Sequence, residues 1–246
     1  MGGSGKERES HMAEFEYVHK KEYYPVIHEQ KTILDRVVSI MQREYDLPGV
    51  RYRLIGSGDR HLVTRIKGGN KGFDLDYNII LPPLEEGWHY KPKVIADQFM
   101  RAFQKACRGT SYSSPKHRTS VIQLKQVDQA HSKVIYGGDF AIIYYGEDES
   151  EGYYYLKHWD DGHYTFEKRS QSRNVDWKLE GIFEYNDEQG WNWIREEYLK
   201  LKDHNNDPNK RSCVLYLEAV HTVYNHIQQA QAKEETPEQQ TVQYLW

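Results

Sequence analysis

The sequence predicts an α+β fold in which a mixed sheet is flanked by helices and followed by a helical C-terminal section. Three observations predict it. Apolar residues in 26–45 recur close to every 3.6 residues, which is the period of an amphipathic helix. In 73–81 they alternate with polar residues, which is the two-residue period of a strand with one buried face. From 191 to 227 the helical period returns, so helices stand at both ends of a group of strands.

The elements of the first half are bounded by proline and glycine, which interrupt regular backbone structure. Pro48–Gly49 ends the first helix, Pro82–Pro83 stops the alternating strand, and Pro92 opens the next helix. We therefore predict, in order, a helix over 26–45, a short strand over 50–55, a turn of helix within 61–66, a loose basic stretch over 67–71, a strand over 73–81 and a helix over about 92–106.

The second half contains more strands and then helices. Asp161–Gly162 is a strong signal for a β-hairpin, because this dipeptide adopts the tight turn that joins two antiparallel strands. The predicted elements are strands over 119–127 and 133–145, a hairpin of 153–159 with 163–169, and helices that include 191–201 and 213–227.

Composition bounds the class of protein. With 246 residues the chain is long enough for one large domain or two small ones. The net charge of −4 excludes a global basic field for nucleic acid, and no apolar run approaches the ~18 residues of a membrane span, so no membrane partner is expected. Cys107 and Cys213 are too few for a disulfide framework or a zinc site, and we expect a reducing, cytoplasmic setting.

The two ends differ from the middle of the chain. Residues 1–12 are interpreted as a vector-derived scar, because they lack an apolar pattern and end in His11–Met12. Residues 233–246 lie in a region rich in Gln and Glu, and we expect them to form a mobile tail. Between the ends we predict a core over 13–150, and a hairpin plus helical section over 151–232 that packs on this core.

Two aspartates occupy one face of the strand predicted over 73–81. Its odd positions are apolar and belong to the core, whereas Asp74 and Asp76 both leave the opposite face. Two carboxylates held this close repel each other, and a divalent cation that prefers oxygen ligands, Mg²⁺ or Mn²⁺, relieves the repulsion. The alternative is a solvated strand face that carries two ordinary aspartates.

A third aspartate, Asp139, lies in a strand that is apolar on both faces. An ionised carboxylate there requires a cation or several hydrogen-bond donors to offset its desolvation. A metal shared with Asp74 and Asp76 would meet this requirement. The alternative is a structural salt bridge from Asp139 to an Arg or a Lys.

The turn Gly56-Ser57-Gly58 follows the strand predicted over 50–55. Glycines at such a position allow backbone N–H groups to approach a phosphate, and Ser57 adds a hydroxyl donor. Most turns of this composition are only turns. The position of this one, a single strand before Asp74 and Asp76, makes it a candidate for nucleotide binding.

Together these residues resemble the signature of the DNA polymerase β-like nucleotidyltransferase superfamily. That signature has Gly-Ser after a first strand, Asp-x-Asp on the next strand and a third acidic residue on a later strand, which here are Gly56-Ser57, Asp74-Leu75-Asp76 and Asp139. The resemblance covers roughly residues 26–145. Two departures are the 17-residue gap from Ser57 to Asp74 and the large Phe73 before the aspartate pair.

The resemblance implies a catalytic nucleotidyltransferase core over 13–150 and two divalent ions, Mg²⁺ or Mn²⁺, held by Asp74, Asp76 and Asp139. It implies an enzyme that moves a nucleoside monophosphate from a nucleoside triphosphate, ATP being the first candidate, to an acceptor hydroxyl with release of pyrophosphate. Gly56 and Ser57 would bind the triphosphate. The acceptor stays open: a small molecule, an RNA 3′ end, a protein or a second nucleotide. The alternative is a non-catalytic nucleotide-binding or interaction module on the same fold.

Two further groups have functional interpretations. The basic candidates for holding the triphosphate are Arg60, Arg65, Lys67, Lys71 and the loop 116–118, although charged loops are more often simply solvated. The run Tyr153-Tyr154-Tyr155 could stack a base or an acceptor ring, although tyrosine also favours strands for packing reasons alone.

Overall fold

A computed structural model of the protein describes residues 14–84, 88–147, 149–170, 175–207 and 209–234. The described residues divide into two compact units, one within 14–170 and the other within 175–234. The predicted scar of residues 1–12 lies outside the described residues, and so does the predicted mobile tail from residue 235 onward. Residues 233 and 234 belong to the last helix.

The first unit contains nine strands and three α-helices within its described residues. In chain order they are β1 (Phe15–Tyr17), α1 (Lys20–Tyr45), β2 (Arg51–Ile55), α2 (Gly56–Asp59), β3 (Thr64–Ile66), β4 (Phe73–Ile80), α3 (Pro92–Ala106), β5 (Lys116–His117), β6 (Ile122–Asp128), β7 (Lys133–Tyr145), β8 (Tyr153–His158) and β9 (Tyr164–Arg169).

The predicted mixed sheet is confirmed. Its strands follow the order β2-β4-β7-β6-β5, and β8 pairs with both β7 and β9. Strands β4 and β7 run parallel, whereas the neighbouring pairs are antiparallel. The strands β1 and β3 form a separate two-stranded sheet.

One face of the large sheet forms the core. The apolar side chains of β4 are buried, and Tyr77 stacks on Phe140 of β7 with ring centroids 5.3 Å apart. Phe103 of α3 packs on the same Phe140 ring at 5.0 Å. Buried residues of α1, among them Leu34 and Val37, belong to this cluster. The helices α1 and α3 therefore cover one face of the sheet, and the strand period predicted for 73–81 correctly identifies that face.

Two local predictions differ from the structure. Residues 61–66 do not form a turn of helix, because the short helix α2 occupies Gly56–Asp59 and β3 pairs with β1 over Thr64–Ile66. The helix predicted over 26–45 begins earlier, at Lys20. There the His19 side chain accepts a hydrogen bond from the Lys21 backbone N–H at 3.2 Å, and Glu22 completes a capping box.

The hairpin lies in the first unit rather than with the C-terminal helices. We predicted residues 151–232 as one section, but β8 extends the large sheet by pairing with β7 through Tyr153–Tyr145 and Tyr155–Ile143. Backbone hydrogen bonds to the sheet thus place the hairpin before the division between the two units.

The second unit is helical, as predicted. Its helices are α4 (Asp176–Tyr185), α5 (Asp187–Asp203) and α6 (Ser212–Glu234). Helix α4 is absent from the sequence prediction and contains Gly181, a poor helix former. A Cβ atom at Gly181 would lie 2.9 Å from the Tyr224 ring of α6, so this glycine allows the two helices to approach closely. No helix within the described ranges is both long and apolar enough to cross a bilayer.

Candidate active site

The structure places the three predicted aspartates on one face of the sheet, opposite the face that α1 and α3 cover. Asp76 is the register partner of Asp139 on the adjacent parallel strand, and Asp74 is the partner of Gly137. Register partners on neighbouring strands point to the same face, ~4.8 Å apart. The three carboxylates therefore form one group at the centre of the sheet, since β4 and β7 are both interior strands.

Burial and mutual repulsion act on these carboxylates. The pKa of Asp74 is raised, first by desolvation and then by the negative charge of Asp139. The pKa of Asp139 is raised by desolvation as well. The side chain of Asp74 remains open to solvent, but the protein on its other sides displaces enough water to disfavour its charged form. Both groups would be stabilised in their ionised form by an added cation.

Asp139 is held by a hydrogen bond from β6 rather than by the structural salt bridge that the sequence left open. Its Oδ1 accepts a hydrogen bond from Gln123 Nε2 at 2.9 Å. Gln123 Oε1 in turn accepts one from Arg118 Nε at 3.2 Å, which fixes the orientation of the amide. The positive charges of Lys125 and Arg118 act on Asp139 and lower its pKa against the effect of burial.

Gln123 and Lys125 were missed by the sequence analysis. Their signal was present in β6, where they alternate with Ile122 and Leu124, both of which are buried. Pairing of Gln123 with Asp139 and of Lys125 with Gly137 places both polar side chains on the carboxylate face. Without knowledge of which strands are neighbours, that alternation alone could not connect them to the aspartates.

Two adjacent glycines of β7 make room on opposite faces. A Cβ atom at Gly137 would lie 2.1 Å from Asp74 Oδ1, so only glycine allows this carboxylate to rest against β7. On the core face, a Cβ atom at Gly138 would lie 2.8 Å from Gln30 Nε2. The fully buried Gln30 of α1 donates a hydrogen bond to the Gly137 carbonyl oxygen at 2.9 Å and so ties the helix to the strand that carries Asp139.

The predicted phosphate loop borders the aspartates. Gly56 begins α2 directly after Ile55, the register partner of Asp76, and has a φ of +66°. A Cβ atom at Gly56 would lie 3.0 Å from Asp76 Oδ2. The Leu62 backbone N–H donates to the Ser57 carbonyl oxygen at 2.8 Å, which closes the turn. The loop therefore lies directly beside Asp76.

Two basic candidates from the sequence are engaged elsewhere. Arg65 forms ion pairs with Glu16 and Glu22, each at 2.6 Å, and Lys67 pairs with Glu14 at 2.8 Å. These contacts hold β1, β3 and the start of α1 together. The cations that act on the carboxylate group are instead Arg118 and Lys125.

The donor set fits a divalent cation. Asp74, Asp76 and Asp139 supply hard oxygen ligands, and a cation would offset the burial that raises the pKa of Asp74 and of Asp139. Within the described ranges, no three Asp, Glu, His or Cys side chains are already drawn together around one point. Binding would therefore require rotation of these carboxylates, and Gln123 restrains one oxygen of Asp139 during that rotation.

The raised pKa of Asp74 predicts a stability that depends on pH. Between the ordinary value of 3.8 and the raised value, the native state binds more protons than the unfolded state, so native stability falls as pH rises through this window. In metal-free buffer at neutral pH, Asp74→Asn should therefore melt at a higher temperature than the parent. The difference should shrink in acid, where Asp74 is protonated. Thermal melts across pH measure it, and an Asn variant that is less stable at neutral pH would contradict this electrostatic account.

The folded chain is similar to solved bacterial nucleotide cyclases. It matches GTP-bound Vibrio cholerae DncV with a TM-score of 0.60 and 11% identity, over 84% of this chain and 67% of that one. The V. cholerae di-nucleotide cyclase in complex with GTP and 5MTHFGLU2 gives 0.56 and 12%, over 85% and 69%. The Bradyrhizobium diazoefficiens CD-NTase CdnG in complex with GTP gives 0.53 and 10%, over 84% and 66%. No protein-family model matches the sequence, and no curated protein matches it significantly.

These likenesses establish the fold. The chain has the nucleotidyltransferase fold of these solved structures, which agrees with the fold that the resemblance seen in the sequence implies. A shared fold does not by itself assign an activity, which depends on the site residues.

Proposed function

We propose that this chain, which has the nucleotidyltransferase fold, transfers a nucleoside monophosphate from a nucleoside triphosphate to an acceptor hydroxyl. The observation that carries the proposal is the shared face of Asp74, Asp76 and Asp139, next to the Gly56–Ser57 loop. A binding module has no need of three neighbouring carboxylates, two of them partly desolvated, whereas metal-assisted phosphoryl transfer uses such a group.

Each residue has a distinct role in this proposal. Asp74, Asp76 and Asp139 would hold two Mg²⁺ or Mn²⁺ ions, which supply charge neutralisation of the triphosphate and activation of the acceptor hydroxyl. Asp139 accepts the hydroxyl proton, and its Oδ1 is kept in place by Gln123. The bond from the acceptor oxygen to the α-phosphorus forms, the bond from that phosphorus to the bridging oxygen breaks, and pyrophosphate leaves.

Transfer of label tests the proposal directly. The protein is incubated with each α-labelled triphosphate, Mg²⁺ or Mn²⁺ and a panel of acceptors, and labelled products are separated. Metal-dependent transfer of label from one triphosphate is the expected result. Metal-dependent binding of triphosphate without transfer to any acceptor would instead support the non-catalytic nucleotide-binding module.

The Gly56–Ser57 loop gives a second test. In Gly56→Ala the new methyl group meets Asp76 Oδ2 at a backbone φ that L residues rarely adopt, so triphosphate affinity should fall by more than tenfold. Ser57→Ala removes a single donor to a charged acceptor, a loss of about 1.5–3 kcal/mol. Calorimetric titration with Mg²⁺-ATP measures both, and circular-dichroism melts control for strain in the turn. If both variants fold and bind like the parent, the loop has no role in phosphate binding.

A further inference from the structure

Three tyrosines extend the carboxylate face beyond the aspartates. Strand β7 continues for six residues after Asp139 and ends with Tyr145 on the same face. Tyr153 is the register partner of Tyr145, and Tyr155 is the partner of Ile143, so both also point to that face. These three residues, together with Arg53 and Arg169, are called the tyrosine platform below.

The structure shows which tyrosines of the run 153–155 face the core, a question that the sequence left open. Tyr154 points to the helix-covered face, where its ring stacks on Tyr144 with centroids 4.9 Å apart. Its neighbours in sequence, Tyr153 and Tyr155, are half-buried on the opposite face. Tyr154 therefore packs on the core, whereas Tyr153 and Tyr155 lie on the face that carries the aspartates, where Tyr155 is paired with the buried Ile143.

Two arginines add positive charge to these rings. Arg53 Nη2 donates a hydrogen bond to the Tyr145 hydroxyl at 3.1 Å. The Arg169 guanidinium lies 4.4 Å from the centre of the Tyr155 ring. Aromatic rings that stack with bases, combined with cations that neutralise phosphates, are the chemistry with which proteins bind single-stranded nucleic acid.

The distance from the aspartates to the tyrosine platform favours an extended ligand. Six residues of strand place Tyr145 ~20 Å from Asp139 along β7. The base of a single nucleotide whose α-phosphate lies at the aspartates does not reach this far. A chain of several linked nucleotides does, because its 3′ hydroxyl can lie at Asp139 while upstream bases lie on the tyrosines.

Local charge also fits a polyanion, although the whole chain has a net charge of −4. Register pairing places Arg51, Arg53, Lys116, Lys125 and Arg169 on the carboxylate face, and Arg118 reaches it through Gln123. Apart from the three aspartates, whose charge bound cations would offset, the paired strands bring Glu167 to this face as partner of Tyr155. The face is therefore locally basic.

We propose that the acceptor is a single-stranded oligonucleotide, bound with its 3′ hydroxyl at Asp139 and its upstream bases on the tyrosine platform. This inference rests on the proposed nucleotidyl transfer and names its acceptor class. The acceptor 3′ oxygen forms the new bond to the α-phosphorus, pyrophosphate leaves, and the oligonucleotide grows by one nucleotide.

Binding tests the platform without turnover. Fluorescence anisotropy is measured with a labelled RNA 12-mer, a DNA 12-mer of the same sequence and the corresponding duplex. We expect the protein to bind one or both single strands more tightly than the duplex, with an affinity that falls as salt rises. Tyr155→Leu and Tyr145→Leu should each weaken single-strand binding about tenfold, because stacking of one base contributes ~1–3 kcal/mol. Tyr155→Phe, which keeps the ring, should bind like the parent.

The exposed Arg53 provides a variant that does not depend on packing. Arg53→Gln should weaken oligonucleotide binding severalfold and leave Mg²⁺-ATP binding unchanged. Equal affinity of the parent and the Leu variants for the single strands, or no binding of any strand by the parent, would overturn the platform. Transfer of label to mononucleotides but never to an oligonucleotide would overturn it too, while the proposed nucleotidyl transfer would stand.

Discussion

Asp139→Asn is expected to reduce nucleotidyl transfer by about 10²–10⁴-fold, the range that a general base contributes. The variant keeps the volume of the side chain, and its amide oxygen can still accept the hydrogen bond from Gln123 at the position of Oδ1. It removes the negative charge needed to bind a cation and to accept the hydroxyl proton. Turnover of α-labelled ATP measures the loss, and Asp160→Asn in the exposed hairpin loop is the matched control.

The stability of Asp139→Asn tests whether Asp139 serves catalysis or supports the fold. Burial disfavours the ionised form of Asp139, so Asp139→Asn should be at least as stable as the parent in metal-free buffer at neutral pH. Added Mg²⁺ should stabilise the parent more than the variant, because the cation binds the native parent more tightly. Full transfer activity, or a large loss of metal-free stability, would mean that Asp139 is structural.

The sequence predicted the aspartate group because its signals are local. The alternation in 73–81 assigns Asp74 and Asp76 to one face without any knowledge of the neighbouring strands, and the structure retains that assignment. The prediction for Asp139 was less complete. Its apolar surroundings implied that the carboxylate has a partner but did not identify that partner. The parallel pairing of β4 with β7 brings it beside Asp76.

The residues that support this group could not be predicted in the same way. Gln30, on a helix 107 residues before Gly137 in the chain, reaches that strand through the core. Gln123 contacts Asp139 only because β6 pairs with β7 in one register. Arg65 and Lys67 were candidates for holding the triphosphate, but both pair with acidic residues of the segment 14–22, which is distant from them in sequence. Each of these contacts depends on pairing between residues that are distant in sequence, which the local hydrophobic period does not reveal.

The two adjacent glycines of β7 are expected to respond to the same substitution in opposite ways. Gly138→Ala places a methyl group against the buried Gln30 and Phe140 side chains, which cannot move away, and should destabilise the protein by about 1–3 kcal/mol. Gly137→Ala meets mainly the end of the Asp74 side chain, which is open to solvent and can rotate. Its cost in stability should be small, since alanine also favours an extended backbone over glycine.

The functional effects should be reversed. The methyl group that Gly137→Ala introduces occupies the space beside β7 where the Asp74 carboxylate lies, so Asp74 can no longer turn toward Asp139 to share a cation with it. Affinity for Mg²⁺ and for Mg²⁺-ATP should then fall about 10–100-fold, as when the support of a metal ligand is lost. Gly138→Ala should retain most of that affinity at temperatures where it is folded. Chemical denaturation and calorimetric titration of both variants provide the comparison. If the two variants had equal effects on stability and on metal affinity, the assignment of Gly137 and Gly138 to opposite faces of the sheet would be contradicted.

A double-mutant cycle identifies the cause of the Gly137→Ala effect. If the new methyl group acts by displacing the Asp74 carboxylate, it has nothing to displace when Asp74 is already replaced by alanine. The effect of Gly137→Ala on metal affinity should then disappear in the Asp74→Ala background, so the two substitutions should be strongly non-additive. Additive losses would show that Gly137→Ala acts by another route, such as its second contact, the Leu124 carbonyl oxygen at 3.1 Å. Because Leu124 belongs to β6, that route would disturb the strand that positions Gln123 and would leave Asp74 in place.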